Sequence, residues 1–264
     1  MTDYPYQRVY LGDTAVNFMR KGNGSRHLLC LPRAIGCAIT DYQHLLRDLD
    51  PDKFTVIALD FPGYGGNKDL KQKTEKDLKP GYHERDAKLA DRIMKKLNLL
   101  PYSILGWHDG GTVAMVMAQK YDNNVDKLIL CNTSAVVTSE ECRQHAAIRN
   151  IRSWSEQMVS QFAAIYDKDY FENTWKDFVD EKIRLRRENN GNMCGHILAD
   201  IKQQTLIIHG EDNMLIPLEA AEHLAENVPH SRLIIRPYEG HDLMHLSSEW
   251  FAAEVTRFLV GESD

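Results

Sequence analysis

The turn at 106–111 (GWHDGG) carries the clearest chemical signal in the sequence. It follows an apolar stretch typical of a buried strand and precedes a segment with helical periodicity. Glycines around a central side chain at a strand-to-helix turn are typical of a nucleophile elbow, where the central residue is held at strained backbone angles and projects into a site. That residue is usually serine. Here it is His108, whose imidazole can act as an acid, a base or a nucleophile.

Four other turns follow predicted strands and carry polar side chains, at 31–36, 60–67, 209–213 and 239–242. Ligands bind beyond the carboxyl ends of parallel strands, so we expect these turns to meet the elbow at one edge of a sheet. This arrangement would bring His241 towards His108 as a candidate general base. Asp212, Asn213 and Asp242 are polar residues of these same turns and could lie near the two imidazoles.

The elements that position these turns alternate between strands and helices. Short apolar or alternating stretches predict eight strands, at 7–11, 15–19, 27–31, 54–59, 102–106, 127–131, 205–209 and 232–236. Amphipathic periodicity predicts helices at 41–49, 83–97, 111–121, 218–227 and 248–259. The first two strands form a hairpin. The alternation that follows predicts an α/β fold, a mostly parallel eight-stranded sheet with helices on both faces.

One long stretch interrupts the alternation. Between Cys131 and Thr205 the sequence has helical spacing and many aromatic residues, but no convincing strand. We therefore predict a core domain at 1–132 and 204–264 and a helical cap inserted at 133–203, whose aromatic side chains form a small core of their own.

Composition excludes several classes of function. The 264 residues contain 32 Lys and Arg against 38 Asp and Glu, a formal net charge of −6 that argues against nucleic acid as a partner. No run of eighteen apolar residues predicts a membrane span, and the first residues lack the apolar stretch of a signal peptide. Five scattered cysteines indicate neither a disulfide framework nor a metal site. We expect a cytoplasmic protein without a cofactor, a membrane partner or a nucleic-acid partner.

The motifs together resemble the α/β-hydrolase superfamily, and within it the valacyclovir hydrolase (biphenyl hydrolase-like) group. The residues that carry the resemblance are GWxDGG at 106–111, Asp60 with GYG at 63–65, HERDA at 83–87, WSE at 154–156, DYF at 169–171, HGE at 209–211 and GH at 240–241. The similarity runs from about residue 7 to about residue 260. It implies an amino-acid ester hydrolase working by a serine, a histidine and an acid.

When the family's catalytic residues are carried over position by position, this chain retains only part of them. The base survives as His241, but the nucleophile position holds His108 and the acid position holds Asn213. Asp212, one residue earlier, offers a carboxylate, and the sequence leaves open whether it reaches His241. The oxyanion hole implied by the resemblance uses the backbone N–H of Ala34 or Ile35 together with that of Asp109.

Three further residues are expected to contact a substrate: Arg33, Trp107 and Asp109. Arg33 stands where the family has glycine, and its side chain either lies over the site or faces solvent. Asp109 stands beside the nucleophile position, where the resemblance implies a partner for a substrate ammonium group. The alternative is that Asp109 caps the helix that begins there.

Two functions remain open. Loss of one triad member typically lowers the rate by about 10⁴–10⁶-fold, so ordinary serine-hydrolase activity is predicted absent or residual. The favoured function is then binding of a small molecule, with or without an ammonium group, or a pseudoenzyme role without a retained ligand. The alternative is an active hydrolase or lyase that uses His108 and His241 for acid-base or nucleophilic chemistry. A metal held by His241 and His245 is less favoured, since the spacing requires a helix. The histidines at 27, 44, 83, 145, 196 and 230 show no partner pattern, and His209, at the end of an apolar strand, is expected to be a core or turn residue.

Overall fold

A computed structural model of the chain describes residues 4–72 and 81–261. It contains an eight-stranded sheet in the order β1-β2-β4-β3-β5-β6-β7-β8. The strands are β1 Tyr6–Leu11, β2 Thr14–Lys21, β3 Arg26–Leu31, β4 Phe54–Leu59, β5 Tyr102–Trp107, β6 Val125–Cys131, β7 Gln204–Gly210 and β8 Ser231–Arg236. Strand β2 runs antiparallel to both neighbours, and the remaining pairs are parallel. The predicted fold class is confirmed, and the sheet is mixed because of the β1–β2 hairpin.

Nine α-helices lie in the described part of the chain. They are α1 Ala38–Asp48, α2 Tyr82–Lys96, α3 Asp109–Lys120, α4 Ser139–Ala147, α5 Glu156–Ala163, α6 Lys168–Asn189, α7 Leu218–Asn227, α8 Leu243–Leu246 and α9 Ser248–Val260. The predicted start of α1 at residue 41 is wrong by three residues. Cys37 caps the helix and its N–H donates to Thr40 Oγ1 at 2.9 Å, so the helix begins before its apolar periodicity does.

Two apolar cores cover the two faces of the sheet, as a parallel sheet requires. Helices α2, α3 and α7 contribute to one core, with Ala87, Val113 and Leu224 among its buried side chains. Helices α1, α8 and α9 contribute to the other, which contains Leu45 and Phe251. No helix among the described residues is both long and apolar enough to cross a bilayer.

The segment between β6 and β7 contains α4, α5 and α6, which we call the helical insert. Its aromatic side chains form a third buried cluster around Phe171 and Phe178. Ile35, from the loop after β3, belongs to the same cluster, so the insert packs directly on a loop at the carboxyl edge of the sheet. The domain bounds at 1–132, 133–203 and 204–264 stay a prediction.

Candidate active site

His108 occupies a strained elbow between β5 and α3. Its backbone has φ 52° and ψ −114°, a region that non-glycine residues rarely adopt. The His108 carbonyl accepts hydrogen bonds from Thr133 Oγ1 at 2.5 Å and from the Gly111 N–H at 3.0 Å, which hold this conformation. A Cβ atom at Gly110 would lie 2.2 Å from the Leu31 carbonyl oxygen, so the turn requires glycine there. The backbone is that of a nucleophile elbow with an imidazole in place of a hydroxyl.

Three imidazole rings meet at this elbow. The His241 ring stands perpendicular to the His108 ring, with 5.0 Å between their centroids. On another side, the ring of His145 from α4 stacks on His108 at 5.6 Å. Phe178 of α6 closes the group with its ring centroid 5.8 Å from that of His108. The structure therefore brings His108 and His241 together as predicted and adds a third histidine from the insert.

Burial keeps these imidazoles neutral near pH 7. Desolvation, reinforced by nearby His241 and Lys182, lowers the pKa of His108 well below its usual range. Burial also lowers the pKa of His145 to about 4 and lowers that of His241. A neutral imidazole can accept a proton or attack an electrophile, but the resulting cation is poorly stabilised in this environment.

Among the described residues no carboxylate is hydrogen-bonded to the Nδ1 atom of His241, although the nearby Asp242 carboxylate acts to raise the pKa of His241. Among the described residues its Nδ1 atom is buried without a hydrogen-bond partner. The Asn213 Oδ1 atom accepts the backbone N–H groups of Leu215 and Ile216 at 3.0 and 3.1 Å, and its Nδ2 atom is likewise unpartnered within that part of the chain. The side chain of Asp212 belongs to an exposed residue and makes no hydrogen bond or ion pair with His241 in the described structure. Neither side chain is hydrogen-bonded to the Nδ1 atom of His241.

Arg33 lies over the site. Its side chain is only 9% exposed, and its guanidinium carbon is 4.4 Å from the Trp107 ring centroid. Its polar contacts are Asp41 Oδ1 at 3.2 Å, Asp242 Oδ1 at 3.2 Å and Gln161 Oε1 at 3.1 Å. Of the two placements left open by the sequence, the structure has the buried one, and Arg33 connects α1, α5 and the loop before α8.

The predicted oxyanion loop is shaped by the insert. Ile35 is fully buried with φ 61°, and its carbonyl accepts a hydrogen bond from Tyr166 Oη at 2.9 Å. Ala34 is half-buried beside it. The backbone N–H of Asp109 lies at the N-terminus of α3, where helical N–H groups lack helical partners. The assignment of these three N–H groups to an oxyanion hole stays a prediction.

Asp109 is enclosed by groups of this chain. Its Oδ1 atom accepts from Tyr82 Oη at 2.9 Å and lies 3.4 Å from His83 Nε2 and 3.6 Å from Lys182 Nζ. Burial alone would raise the pKa of this carboxyl, but His83, Lys182 and the Tyr82 hydroxyl lower it to about 2. The carboxylate remains charged, and its contacts differ from the helix-capping alternative, since the structure shows no side-chain cap on α3.

Sequence reasoning missed the groups that reach the site from distant helices. His83 and His145 were assigned no role, but His83 contacts Asp109 and His145 stacks on His108. Lys182 and Glu141 also approach the site from the insert. His145, Glu141 and Lys182 sit on helices of the insert without a motif, so only the packing of the insert on the sheet reveals them. His83 lies on α2 in the HERDA segment at 83–87, which carries the family resemblance but gave no sign of its contact with Asp109. Among the described residues, no group of three or more His, Cys, Asp or Glu side chains could hold a metal ion.

Comparison with known proteins identifies the class of fold. A family profile described as the alpha/beta hydrolase fold matches residues 27–165. The chain belongs to the α/β-hydrolase family. Within it, the chain is similar to serine hydrolase BPHL of mouse, with 34% identity over 96% of this chain and 84% of the mouse protein. Human serine hydrolase BPHL is 34% identical over 90% of this chain and 80% of the human protein. The predicted resemblance to the valacyclovir hydrolase group is confirmed.

Solved structures agree on the fold. A meta-cleavage product hydrolase of Pseudomonas fluorescens superimposes with a TM-score of 0.76 at 17% identity, covering 94% of this chain and 95% of that chain. The 2-hydroxy-6-oxo-6-phenylhexa-2,4-dienoate hydrolase of a Rhodococcus strain gives a TM-score of 0.77 at 16% identity, covering 97% and 99%. At these identities the likeness concerns the scaffold, because function depends on the residues of the site.

Proposed function

We propose that this α/β-hydrolase family member has lost hydrolysis by a serine, histidine and acid triad and binds a small molecule at the inherited site. One observation carries the proposal: the elbow holds His108, and His241 has no carboxylate on its Nδ1 atom. The elbow therefore lacks a hydroxyl nucleophile, and among the described residues no carboxylate is hydrogen-bonded to the His241 nitrogen that a triad acid would orient. Losses of this kind typically lower the rate of such enzymes by about 10⁴–10⁶-fold.

Unpartnered ring nitrogens support the binding role. In the described part of the chain, four buried ring nitrogens around the elbow have no hydrogen-bond partner: Trp107 Nε1, His108 Nε2, His145 Nε2 and His241 Nδ1. Buried polar atoms nearly always have partners, and leaving one unpaired costs about 1–3 kcal/mol. A small molecule with several hydrogen-bonding groups could pair with these atoms, and neutral imidazoles supply both donors and acceptors for it.

The chemistry of the ligand follows from the same groups. The family resemblance implied that Asp109 pairs with a ligand ammonium group, with helix capping as the alternative. Lys182 already places a cation 3.6 Å from that carboxylate, so we extend the proposal to uncharged esters and amides. A cytoplasmic location accords with the composition and is part of the proposal.

A second candidate function is favoured by the geometry of the two facing imidazoles. Their centroids are 5.0 Å apart, and the His108 Nε2 atom has no partner among the described residues. In this alternative His108 Nε2 attacks the carbonyl carbon of an activated ester, the ester C–O bond breaks, and the leaving alcohol or phenol takes up the imidazole proton. His241 then accepts a proton from the water that hydrolyses the acyl-imidazole, which releases the acid and restores neutral His108.

Ester turnover separates the two candidates. Wild type, His108→Ala, His108→Ser and His241→Ala are assayed on phenyl acetate and on N-acetyl-L-alanine methyl ester. We expect no turnover above the uncatalysed rate by wild type, and binding of the unreacted ester in calorimetry. Turnover by wild type that disappears in His108→Ala contradicts the proposal and supports the second candidate. No turnover and no binding of any ester contradicts both.

A further inference from the structure

Lys182 is a lysine whose ammonium group is buried at the site. Its side chain is 1% exposed on α6. Nζ lies 3.6 Å from Asp109 Oδ1 and 3.7 Å from Glu141 Oε1, and it donates to Met193 Sδ at 3.1 Å. It also lies 5.3 Å from the Phe178 ring centroid, within cation–π range. A buried ammonium is stable only when such groups replace its hydration.

The two carboxylates need a cation at this position. Asp109 and Glu141 are both buried, and the Glu141 side chain is 0% exposed. Glu141 Oε2 accepts a hydrogen bond from Ser134 Oγ at 2.9 Å. Without a positive charge between them, two desolvated acids would repel each other or take up a proton. The chain itself supplies that charge through Lys182, which reaches from the insert to the first residue of α3.

We propose that Lys182 is an internal substitute for a ligand ammonium group and makes the site selective against positively charged ligands. An external ammonium that pairs with Asp109 Oδ1 must compete with Nζ, which already lies 3.6 Å from that atom. The displaced lysine would remain tethered close by at a high effective concentration and would compete continuously. The inference deepens the proposed function, on which its ligand class rests, by restricting that class to neutral or anionic small molecules.

The test matches a probe to the atoms removed. Lys182→Ala deletes Cγ, Cδ, Cε and Nζ, which together correspond to propylammonium. Lys182→Met fills most of that space without a charge. Binding of propylammonium chloride is measured by calorimetry and by thermal unfolding at constant ionic strength, with 1-propanol as the neutral control. We expect saturable binding by Lys182→Ala, at least tenfold weaker binding by wild type and Lys182→Met, and loss of binding in Lys182→Ala/Asp109→Asn.

Two outcomes would overturn the inference: a folded Lys182→Ala that does not bind propylammonium, or wild type that binds it equally well in an Asp109-dependent manner. If Lys182→Ala does not fold alone, refolding with propylammonium and with 1-propanol becomes the test. Recovery with propylammonium but not with 1-propanol supports the inference, and no recovery with propylammonium contradicts it. Ester turnover by wild type would contradict the proposed function and leave this result intact, because the readout is amine binding.

Discussion

Under the proposed function, the residue at position 213 decides how much ester hydrolysis a serine at position 108 can support. Asn213 uses its Oδ1 atom to accept two backbone N–H groups, as an aspartate could, but its amide cannot stabilise a charged His241. We predict that His108→Ser alone gives weak esterase activity and that adding Asn213→Asp raises kcat/KM for p-nitrophenyl acetate by up to about 10⁴. The second substitution should also raise the pKa of His241.

The neighbouring residue provides a matched control. Asp212 is exposed, and within the described chain it makes no hydrogen bond or ion pair with His241. Adding Asp212→Asn to His108→Ser should therefore leave kcat/KM unchanged. Equal rates for His108→Ser and His108→Ser/Asn213→Asp, with both variants folded by circular dichroism, would show that position 213 does not act on His241.

At the scale of elements, Arg33 joins three parts of the molecule across the site. Its side chain pairs with Asp41 of α1, whose side chain is 0% exposed. Removing one partner of such a buried pair typically costs about 3–5 kcal/mol, because the other charge is left uncompensated. We predict that Arg33→Met, which keeps packing over Trp107, and Asp41→Asn each lower the free energy of unfolding, measured in urea.

The double variant tests whether the pair acts as a unit. We expect Arg33→Met/Asp41→Asn to lose less than the sum of the two single losses, with a coupling of about 0.5–3 kcal/mol. The exposed pair Arg149–Asp180, at 2.7 Å, is the control, with an expected coupling of at most about 1 kcal/mol. Additive losses at Arg33 and Asp41 would mean that the 3.2 Å contact contributes no specific stability.

Elements with a local signal were predictable. All eight strands were predicted, with bounds shifted by at most two residues. Buried strands and the turns between them have characteristic patterns within short stretches of sequence. The three helices of the insert were anticipated only as a helical region. Their aromatic residues satisfy helical periodicity in several registers. The caps that set their starts, Thr138, Ser155 and Asp167, become evident only with the structure.

At the scale of the whole molecule, the sequence predicted the part of the site that follows the strands but not the part that comes from the helical insert. His108, His241 and Arg33 follow strands, and the rule that parallel strands present their carboxyl ends together was sufficient to group them. His145, Glu141 and Lys182 come from the insert, which reaches the elbow by tertiary packing between distant segments. No local pattern encodes that contact, so the sequence left the charge state around Asp109 undetermined.

Buried neutral histidines make the free energy of unfolding of the whole molecule depend on pH. His209 at the end of β7 is fully buried, and burial lowers its pKa to about 4. Between pH 6.5 and pH 4 the unfolded chain binds a proton at this histidine and the folded chain does not, so the stability it contributes falls as pH falls. Asp60 and Asp86 act in the opposite direction, because burial raises the pKa of each to about 6 and the folded chain then binds protons more readily. The contribution of one histidine must therefore be isolated by substitution.

The substitution His209→Gln isolates the contribution of His209 to this pH dependence. It removes the titrating ring but keeps a donor for the Ile216 carbonyl, which lies 3.1 Å from the ring nitrogen. The free energy of unfolding is measured in urea at pH 7 and at pH 4.5. We expect the loss of stability between these pH values to be about 2 kcal/mol smaller in His209→Gln than in wild type. His230→Gln, at an exposed residue, should retain the wild-type pH dependence. If His209→Gln loses as much stability on acidification as wild type does, His209 is already protonated in the folded protein, and the depressed pKa that burial implies is wrong.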